Sequence, residues 1–148
     1  YDVAIIDFPD PGTFSVGKLY TSYFFNRLRR VLTDSAVLNI QCSSPLVSPE
    51  SYWCVITTLE DCGFDVRPFH ATVPTFGVWG FALAGTSPLS KSLNLPVSVA
   101  AELRFLDQNV MDHLFVTPKD LQRVDTEVNR LNNQVLVHYY EREWSRWQ

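Results

Sequence analysis

The sequence predicts an α/β protein with a mixed sheet, in which helices join parallel strands and one strand runs antiparallel. Two short apolar runs, at residues 1–6 and 35–42, flank a segment with helical spacing, which is the pattern of a strand–helix–strand unit. A third observation is the very short link between the last two predicted strands, at residues 64–73 and 76–85. So short a link requires an antiparallel pair.

The first strand–helix–strand unit follows from the periodicity of its apolar residues. "YDVAII" at residues 1–6 is a continuous apolar run, typical of a parallel strand buried on both faces. From residue 17 to 32 the apolar side chains recur at helical spacing. "SAVLNIQC" at residues 35–42 is again continuous and predicts a second buried strand, parallel to the first.

The next helix has start and stop signals. Ser48, followed by proline and glutamate, is expected as its N-cap, and Gly63 as its C-terminal glycine. The strand at residues 64–73 contains Pro68, which indicates a sheet edge or a bulge.

The remaining residues predict short helices and loops. Residues 87–96 are a polar loop between prolines, and residues 97–106 a short helix. Another helix is expected at Thr117, with Thr117 as cap and Asp120 at the capping-box position. The tail at 127–144 mixes charges with apolar residues and fits a strand or a helix.

The composition excludes several classes of protein. Hydrophobic residues make up 46% and charged residues 19%, as in a globular domain, and the net charge of −4 without a basic stripe argues against nucleic-acid binding. The three cysteines lack the spacing of a zinc site and are expected to be reduced thiols. No apolar run approaches the roughly 20 residues of a membrane span, so the chain is expected to be soluble.

Two aspartates, Asp7 and Asp10, follow the first strand directly, in a loop stiffened by Pro9 and Pro11. They can form a turn or cap the next helix, or they can form a site, because ligands of such sheets bind beyond the carboxyl ends of the strands. Two acids without further ligands suit an amine better than a metal ion. A protonated amine costs about 4 kcal/mol to deprotonate at neutral pH, and a nearby carboxylate can accept that proton.

The glycine-rich turn that follows the first strand of most nucleotide-binding sheets is absent from these residues. The sequence also begins with Tyr1 on an apolar strand. These two observations predict the C-terminal part of a larger catalytic domain, with residues 1–86 as the C-terminal half of its sheet. Residues 87–148 are predicted to be a helical or irregular extension of the same domain.

Several motifs resemble the polyamine aminopropyltransferase (spermidine synthase) family. "YDVAIIDFPDP" resembles its Asp-x-x-Asp-Pro signature, and "VPTFGVWGFALA" its Pro-Thr-aromatic loop and last strand. "LRFLDQNVMDHLFVTPKDL" is similar to a further family segment. "PDPGTFSVGKLY", "NIQCSSPLVSPESYW" and the tail at 127–144 resemble most closely a bacterial branch fused behind membrane spans.

The resemblance implies a Rossmann-like, methyltransferase-type fold and transfer of an aminopropyl group from decarboxylated S-adenosylmethionine to putrescine or a similar amine. It implies no metal and no further cofactor, since the sulfonium is already a good leaving group. It also implies a parent protein at the cytoplasmic face of the cell membrane. The donor site is expected upstream of Tyr1, so these 148 residues alone are expected to be inactive.

The resemblance also assigns roles to individual residues. Asp7 matches the catalytic carboxylate that takes up or orients the attacking amine, and Asp10 the second carboxylate of the motif. Gln41 and Trp79 match positions that line the amine site. Phe76 stands where soluble spermidine synthases have a tyrosine whose hydroxyl holds the amine, and phenylalanine cannot form that hydrogen bond.

Phe76 keeps two alternatives open, a methyltransferase-like enzyme and a non-catalytic polyamine-binding or regulatory domain of a membrane protein. A half-sheet would also leave the apolar edge of residues 1–6 exposed. We therefore expect homo-oligomers through this edge, or its coverage by the tail. Tyr20 and Lys18 are expected to be packing and surface residues.

Overall fold

Four strands form one mixed sheet in the computed structural model, which describes residues 1–146. They are β1 (Val3–Ile6), β2 (Val37–Gln41), β3 (Asp65–Val73) and β4 (Gly77–Gly85), in the order β1-β2-β4-β3. β1 is parallel to β2, and β4 is antiparallel to both β2 and β3. This confirms the predicted α/β class with one reversed strand. It also confirms that the strand with Pro68 lies at a sheet edge.

The helices are α1 (Phe14–Gly17), α2 (Ser22–Arg29), α3 (Pro49–Asp61), α4 (Val97–Ala100), α5 (Gln108–Leu114) and α6 (Val135–Trp144). Two 3-10 turns, Lys18–Tyr20 and Lys119–Leu121, complete the regular structure. None of the helices within the described residues is both long and apolar enough to cross a membrane.

The single helix predicted at residues 17–32 is wrong, because Thr21 interrupts it. Thr21 is fully buried and has extended backbone angles (φ −85°, ψ 156°). Its hydroxyl accepts a hydrogen bond from the Phe24 amide at 3.3 Å, which caps α2. Apolar periodicity continues through the break, so the pattern alone does not reveal it.

α3 confirms the predicted helix, but its N-terminus is stabilised from elsewhere in the chain. Ser48 is the N-cap residue, yet its side chain makes no capping bond, and Gly63 ends the helix with a φ of +78°. The carboxylate of Glu143 in α6 accepts hydrogen bonds from the Glu50 amide (2.7 Å) and from the Ser51 amide and hydroxyl (3.1 and 2.7 Å). A residue about 90 positions away thus satisfies amides that a helix start leaves unpaired.

The C-terminal third has less helix than predicted in two places, and its ambiguous tail is resolved. The helix expected at residues 97–106 ends at Ala100, and the segment at Thr117 is a 3-10 turn without a side-chain cap. Residues 87–96 contain no helix or strand, as expected. The ambiguous tail contains helix α6, so the strand alternative is wrong. The division at residue 86 stays a prediction.

The buried Asn129 fixes the segment that leads into α6. Its side-chain amide donates to the Gly17 carbonyl (3.1 Å), and its backbone amide donates to the Thr58 hydroxyl (2.9 Å). Gly17 also permits close approach, because a β-carbon there would lie 2.4 Å from a methyl group of Val137. α6 therefore packs directly against α1 and α3.

The two faces of the sheet differ in burial. The inner face, which α3 covers, is closed by residues that are all less than 8% exposed: Ile6, Leu38, Ile40, Ala82 and Ala84. On the outer face, Val3 is 67% and Ile5 78% exposed. The expectation that β1 is buried on both faces is therefore wrong for this chain, in which β1 is an edge strand. The expected tail cover is also wrong in the described residues, since α6 packs on α1 and α3.

Candidate functional site

The loops after β1 and β2 meet at one end of the sheet, because parallel strands bring their carboxyl ends to the same edge. They open into a cavity of about 590 Å³. All five residues singled out from the sequence line it: Asp7, Asp10, Gln41, Phe76 and Trp79. The role of each residue stays a prediction, but their juxtaposition is a property of the fold.

The cavity combines these carboxylates with apolar walls. The rings of Phe76 and Trp79 contact each other with centroids 5.1 Å apart. Ile5, Phe8 and Phe81 add further apolar surface. Phe76 is 63% exposed and lies in the turn between β3 and β4. A cavity of this kind fits a chain of methylene groups that carries positive charge at its ends.

Asp10 is held on both of its carboxylate oxygens. The Gln41 side-chain amide donates to Oδ1 at 2.9 Å, and the Tyr140 hydroxyl donates to Oδ2 at 3.1 Å. Burial first, and the charge of Asp10 second, raise the pKa of Tyr140 above its usual value. The phenol is therefore protonated at neutral pH and acts as a donor.

Tyr20 contacts the side-chain oxygen of Gln41. It is 1% exposed, and its hydroxyl lies 3.2 Å from Gln41 Oε1 and equally far from the carbonyl oxygens of Phe8 and Pro9. Burial raises the pKa of Tyr20, so its hydroxyl keeps its proton and can donate. Because Gln41 Oε1 faces this donor, the Gln41 NH₂ group points to Asp10.

Sequence reasoning missed Tyr140 and underestimated Tyr20. Tyr20 was predicted as a packing residue, and no local pattern distinguishes it from one. Tyr140 is 130 positions from Asp10 and lies in a tail of uncertain secondary structure. The polar side of α6 offers the only signal, since Tyr139 and Tyr140 stand among charged residues.

Asp7 differs from Asp10 in its surroundings. Its side chain is exposed to the cavity and makes no hydrogen bond to any residue between 1 and 146. Asp10 is thus a fixed carboxylate and Asp7 an available one. Such a pair can hold one positive charge and accept a proton from another.

No cluster of three or more metal-ligating side chains occurs in the described part of the chain. The three cysteines, Cys42, Cys54 and Cys62, are buried free thiols outside the cavity. Burial raises the pKa of Cys54 to about 12 and that of Cys62 to about 11.

Comparison with known proteins identifies relatives over nearly the whole chain. It is 47% identical over 146 residues to a polyamine aminopropyltransferase of Leptospira interrogans, covering 99% of this chain and 28% of that protein. It is 45% identical over 144 residues to polyamine aminopropyltransferase 2 of Ralstonia nicotianae, covering 97% of this chain and 28% of that protein. The chain thus spans little more than a quarter of the length of these relatives.

Solved structures share the fold. A spermidine synthase in complex with the transition-state analogue AdoDATO superposes with a TM-score of 0.66 and 20% identity, over 82% of this chain and 44% of that one. Spermidine synthase from Thermotoga maritima gives a TM-score of 0.55 with 16% identity, over 70% of this chain and 38% of that one. At such identities the likeness concerns the fold alone.

The model of one family, the spermine/spermidine synthase domain, matches residues 1–94, which include the whole sheet and all residues that line the cavity. This match and the close relatives confirm the resemblance seen in the motifs. The chain is a member of the polyamine aminopropyltransferase (spermidine synthase) family and corresponds to part of its catalytic domain.

Proposed function

We propose that the protein carrying this chain transfers an aminopropyl group from decarboxylated S-adenosylmethionine to putrescine or a similar amine, and that these residues form the amine side of the site. The observation that carries the proposal is the pairing of an available carboxylate, Asp7, with a fixed one, Asp10, in one apolar-walled cavity. Family membership supports the reaction class, and the cavity supports the acceptor class.

The proposed chemistry requires little from the protein beyond positioning and one proton transfer. Asp7 accepts a proton from the ammonium group of the acceptor, and Asp10 holds the distal ammonium. The free amine then attacks the aminopropyl carbon next to the sulfonium. A C–N bond forms and the C–S bond breaks. The electron pair of the C–S bond stays on the sulfur, which becomes a neutral thioether. Neither a metal nor a redox cofactor takes part in this step.

Phe76 differs from the tyrosine that the family resemblance leads us to expect at this position, and the difference bears on acceptor binding. Its ring lines the cavity without a hydroxyl and is tilted by 47° to the ring of Trp79. Binding of the acceptor amine is therefore proposed to depend on the two carboxylates and on aromatic contact rather than on a direct hydrogen bond to a tyrosine hydroxyl at position 76.

The test is aminopropyl transfer by the full natural polypeptide, measured with a series of diamines. Asp7→Asn should lower kcat by about 100-fold or more, the usual contribution of a general base. Asp34→Asn, an exposed aspartate before β2, is the matched control and should keep full activity. An Asp7→Asn variant as active as the parent would exclude this mechanism.

Diamine binding and methyl transfer from S-adenosylmethionine, measured beside aminopropyl transfer, separate the alternatives. A polypeptide that binds diamines but transfers no aminopropyl group would be the non-catalytic polyamine-binding domain. A polypeptide that methylates an amine with S-adenosylmethionine would be the methyltransferase-like enzyme.

Two finer proposals concern the protein's surroundings. A parent fused to membrane spans, with this domain at the cytoplasmic face, rests on the motif resemblance alone. Association of copies through β1 is supported by the exposed Val3 and Ile5 on an edge strand. Light scattering of these 148 residues tests it, since Ile5→Lys should reduce the associated mass, and a monomeric unsubstituted chain would contradict it.

A further inference from the structure

The C-terminal helix α6 contributes a side chain to the loop that follows β1. The Tyr140 hydroxyl lies 3.1 Å from Asp10 Oδ2, while Gln41 occupies Oδ1 from the opposite side at 2.9 Å. The two donors come from parts of the chain that are far apart in sequence. Together they leave the Asp10 carboxylate little freedom to rotate.

Tyr140 is itself held by its neighbours. A β-carbon on Gly12 would lie 3.4 Å from the Tyr140 ring, so the ring packs directly on the backbone of the Asp10 loop. The ring also contacts Trp144, with centroids 5.6 Å apart. Glu143, three residues further along, is anchored in the N-terminus of α3. The hydroxyl is therefore presented from a fixed helix rather than from a mobile tail.

The Gln41 arm is fixed in the same way from the other side. The Tyr20 hydroxyl lies 3.2 Å from Gln41 Oε1 and from the loop carbonyl oxygens of Phe8 and Pro9, and these three acceptors share its single proton. A chain of polar contacts thus runs from Tyr20 through Gln41 and Asp10 to Tyr140. Asp7 is not part of it.

We infer that Tyr140 is a positioning residue for acceptor recognition, which holds the Asp10 carboxylate in the orientation that receives the distal ammonium of the amine. The inference rests on the proposed function for its substrate. It makes acceptor affinity depend on the C-terminal helix, which lies outside the residues matched by the family model. Because Tyr140 acts through Asp10, it should affect amine binding and leave the donor unaffected.

The experiment compares Tyr140→Phe with Tyr139→Phe in the full natural polypeptide. Both variants lose one hydroxyl from the same helix, but the Tyr139 hydroxyl is 3.4 Å from the Glu127 amide rather than at the loop. Tyr140→Phe should raise the KM for the amine about 3- to 10-fold, the range expected for the net contribution of one hydrogen bond. The KM for the donor should not change, and Tyr139→Phe should change neither.

A double-mutant cycle with Asp10→Asn separates positioning from general stabilisation. If Tyr140 acts through Asp10, Tyr140→Phe should have no further effect on the amine KM in the Asp10→Asn background. Additive effects of the two changes would overturn the inference. So would an unchanged amine KM in Tyr140→Phe, or an equal rise of the amine and donor KM values.

The inference remains testable if the parent transfers no aminopropyl group, an outcome that refutes the proposed function alone. The Gly12 amide donates to the Asp10 carbonyl at 2.8 Å and reports on the order of the loop. Its hydrogen exchange should be about 3- to 10-fold faster in Tyr140→Phe than in Tyr139→Phe. Equal exchange in the two variants would show that Tyr140 does not hold the loop.

Discussion

The two faces of the sheet are formed by the same strands but have different roles. The inner face is apolar and closed under α3, with Leu38, Ile40 and Ala82 fully buried. The outer face of the same strands carries Asn39 and Gln41 in β2 and opens into the cavity. Alternate residues of one strand thus serve the core and the site. The closed face provides stability, and the open face gives up apolar burial for polar groups that can meet a ligand.

The largest expected difference between the faces comes from a matched pair of isoleucines. Ile40 is fully buried on the inner face, whereas Ile5 on the outer face is 78% exposed. Ile40→Ala should lower the free energy of unfolding by about 2–5 kcal/mol, because it removes buried methyl groups and leaves a cavity. Ile5→Ala should cost about 0.5 kcal/mol or less. Denaturant unfolding measures both, and equal losses would contradict the assigned difference between the faces.

The cap that α6 provides to α3 is the next test of the closed face. Glu143→Ala leaves the buried amide of Ser51 and the partly buried amide of Glu50 without acceptors, which should cost about 2–3 kcal/mol. Glu141→Ala on the exposed side of the same helix is the control, with an expected change of about 0.5 kcal/mol or less. A loss confined to Glu143 would locate the effect in the cap and not in helix propensity.

Glu143 also predicts a pH dependence. Burial opposes its charge more than its three hydrogen bonds favour it, and therefore raises its pKa above the usual 4.5. The folded state then holds the proton more tightly than the unfolded state does. The contribution of Glu143 to stability is fully present below pH 4.5 and declines as the pH rises through the raised pKa. The free energy of unfolding of the unsubstituted chain and of Glu143→Gln should be measured between about pH 4 and 8. The stability of the unsubstituted chain relative to Glu143→Gln should decrease with increasing pH.

The three thiols, none of which lines the cavity, test the closed face by their reactivity. Since burial raises the pKa of Cys54 to about 12 and that of Cys62 to about 11, only about one thiol in a thousand or fewer is ionised at pH 8. Alkylation of the native chain should be about 100-fold slower or more than that of the unfolded chain. Rapid labelling of one cysteine in native conditions would identify an opening in the closed face.

The sequence predicted those features that depend on neighbouring residues. Gly63 ends α3, Pro68 lies at a sheet edge, and the short turn before Gly77 joins an antiparallel pair. The position of Asp7 and Asp10 followed from a general rule for strand ends, and the structure brings both to the cavity.

Features that depend on distant contacts were not predictable in this way. The break at Thr21 needs a cap that competes with helical periodicity. The contacts of Tyr140 with Asp10 and of Glu143 with Ser51 join residues 130 and 92 positions apart, and no local pattern encodes such pairs. The site was therefore found from its strands, whereas its support from the tail became visible only in three dimensions.

The Glu143 cap has a consequence for the order in which the molecule forms during synthesis. The ribosome makes α3 long before α6, so the first amides of α3 remain without their carboxylate while the chain is being extended. Asp10 likewise lacks its hydrogen bond from the Tyr140 hydroxyl until that residue is synthesised. Both α3 and the cavity are completed only when α6 leaves the ribosome. A nascent chain that stops short of residue 140 will therefore have its strands but not a finished site.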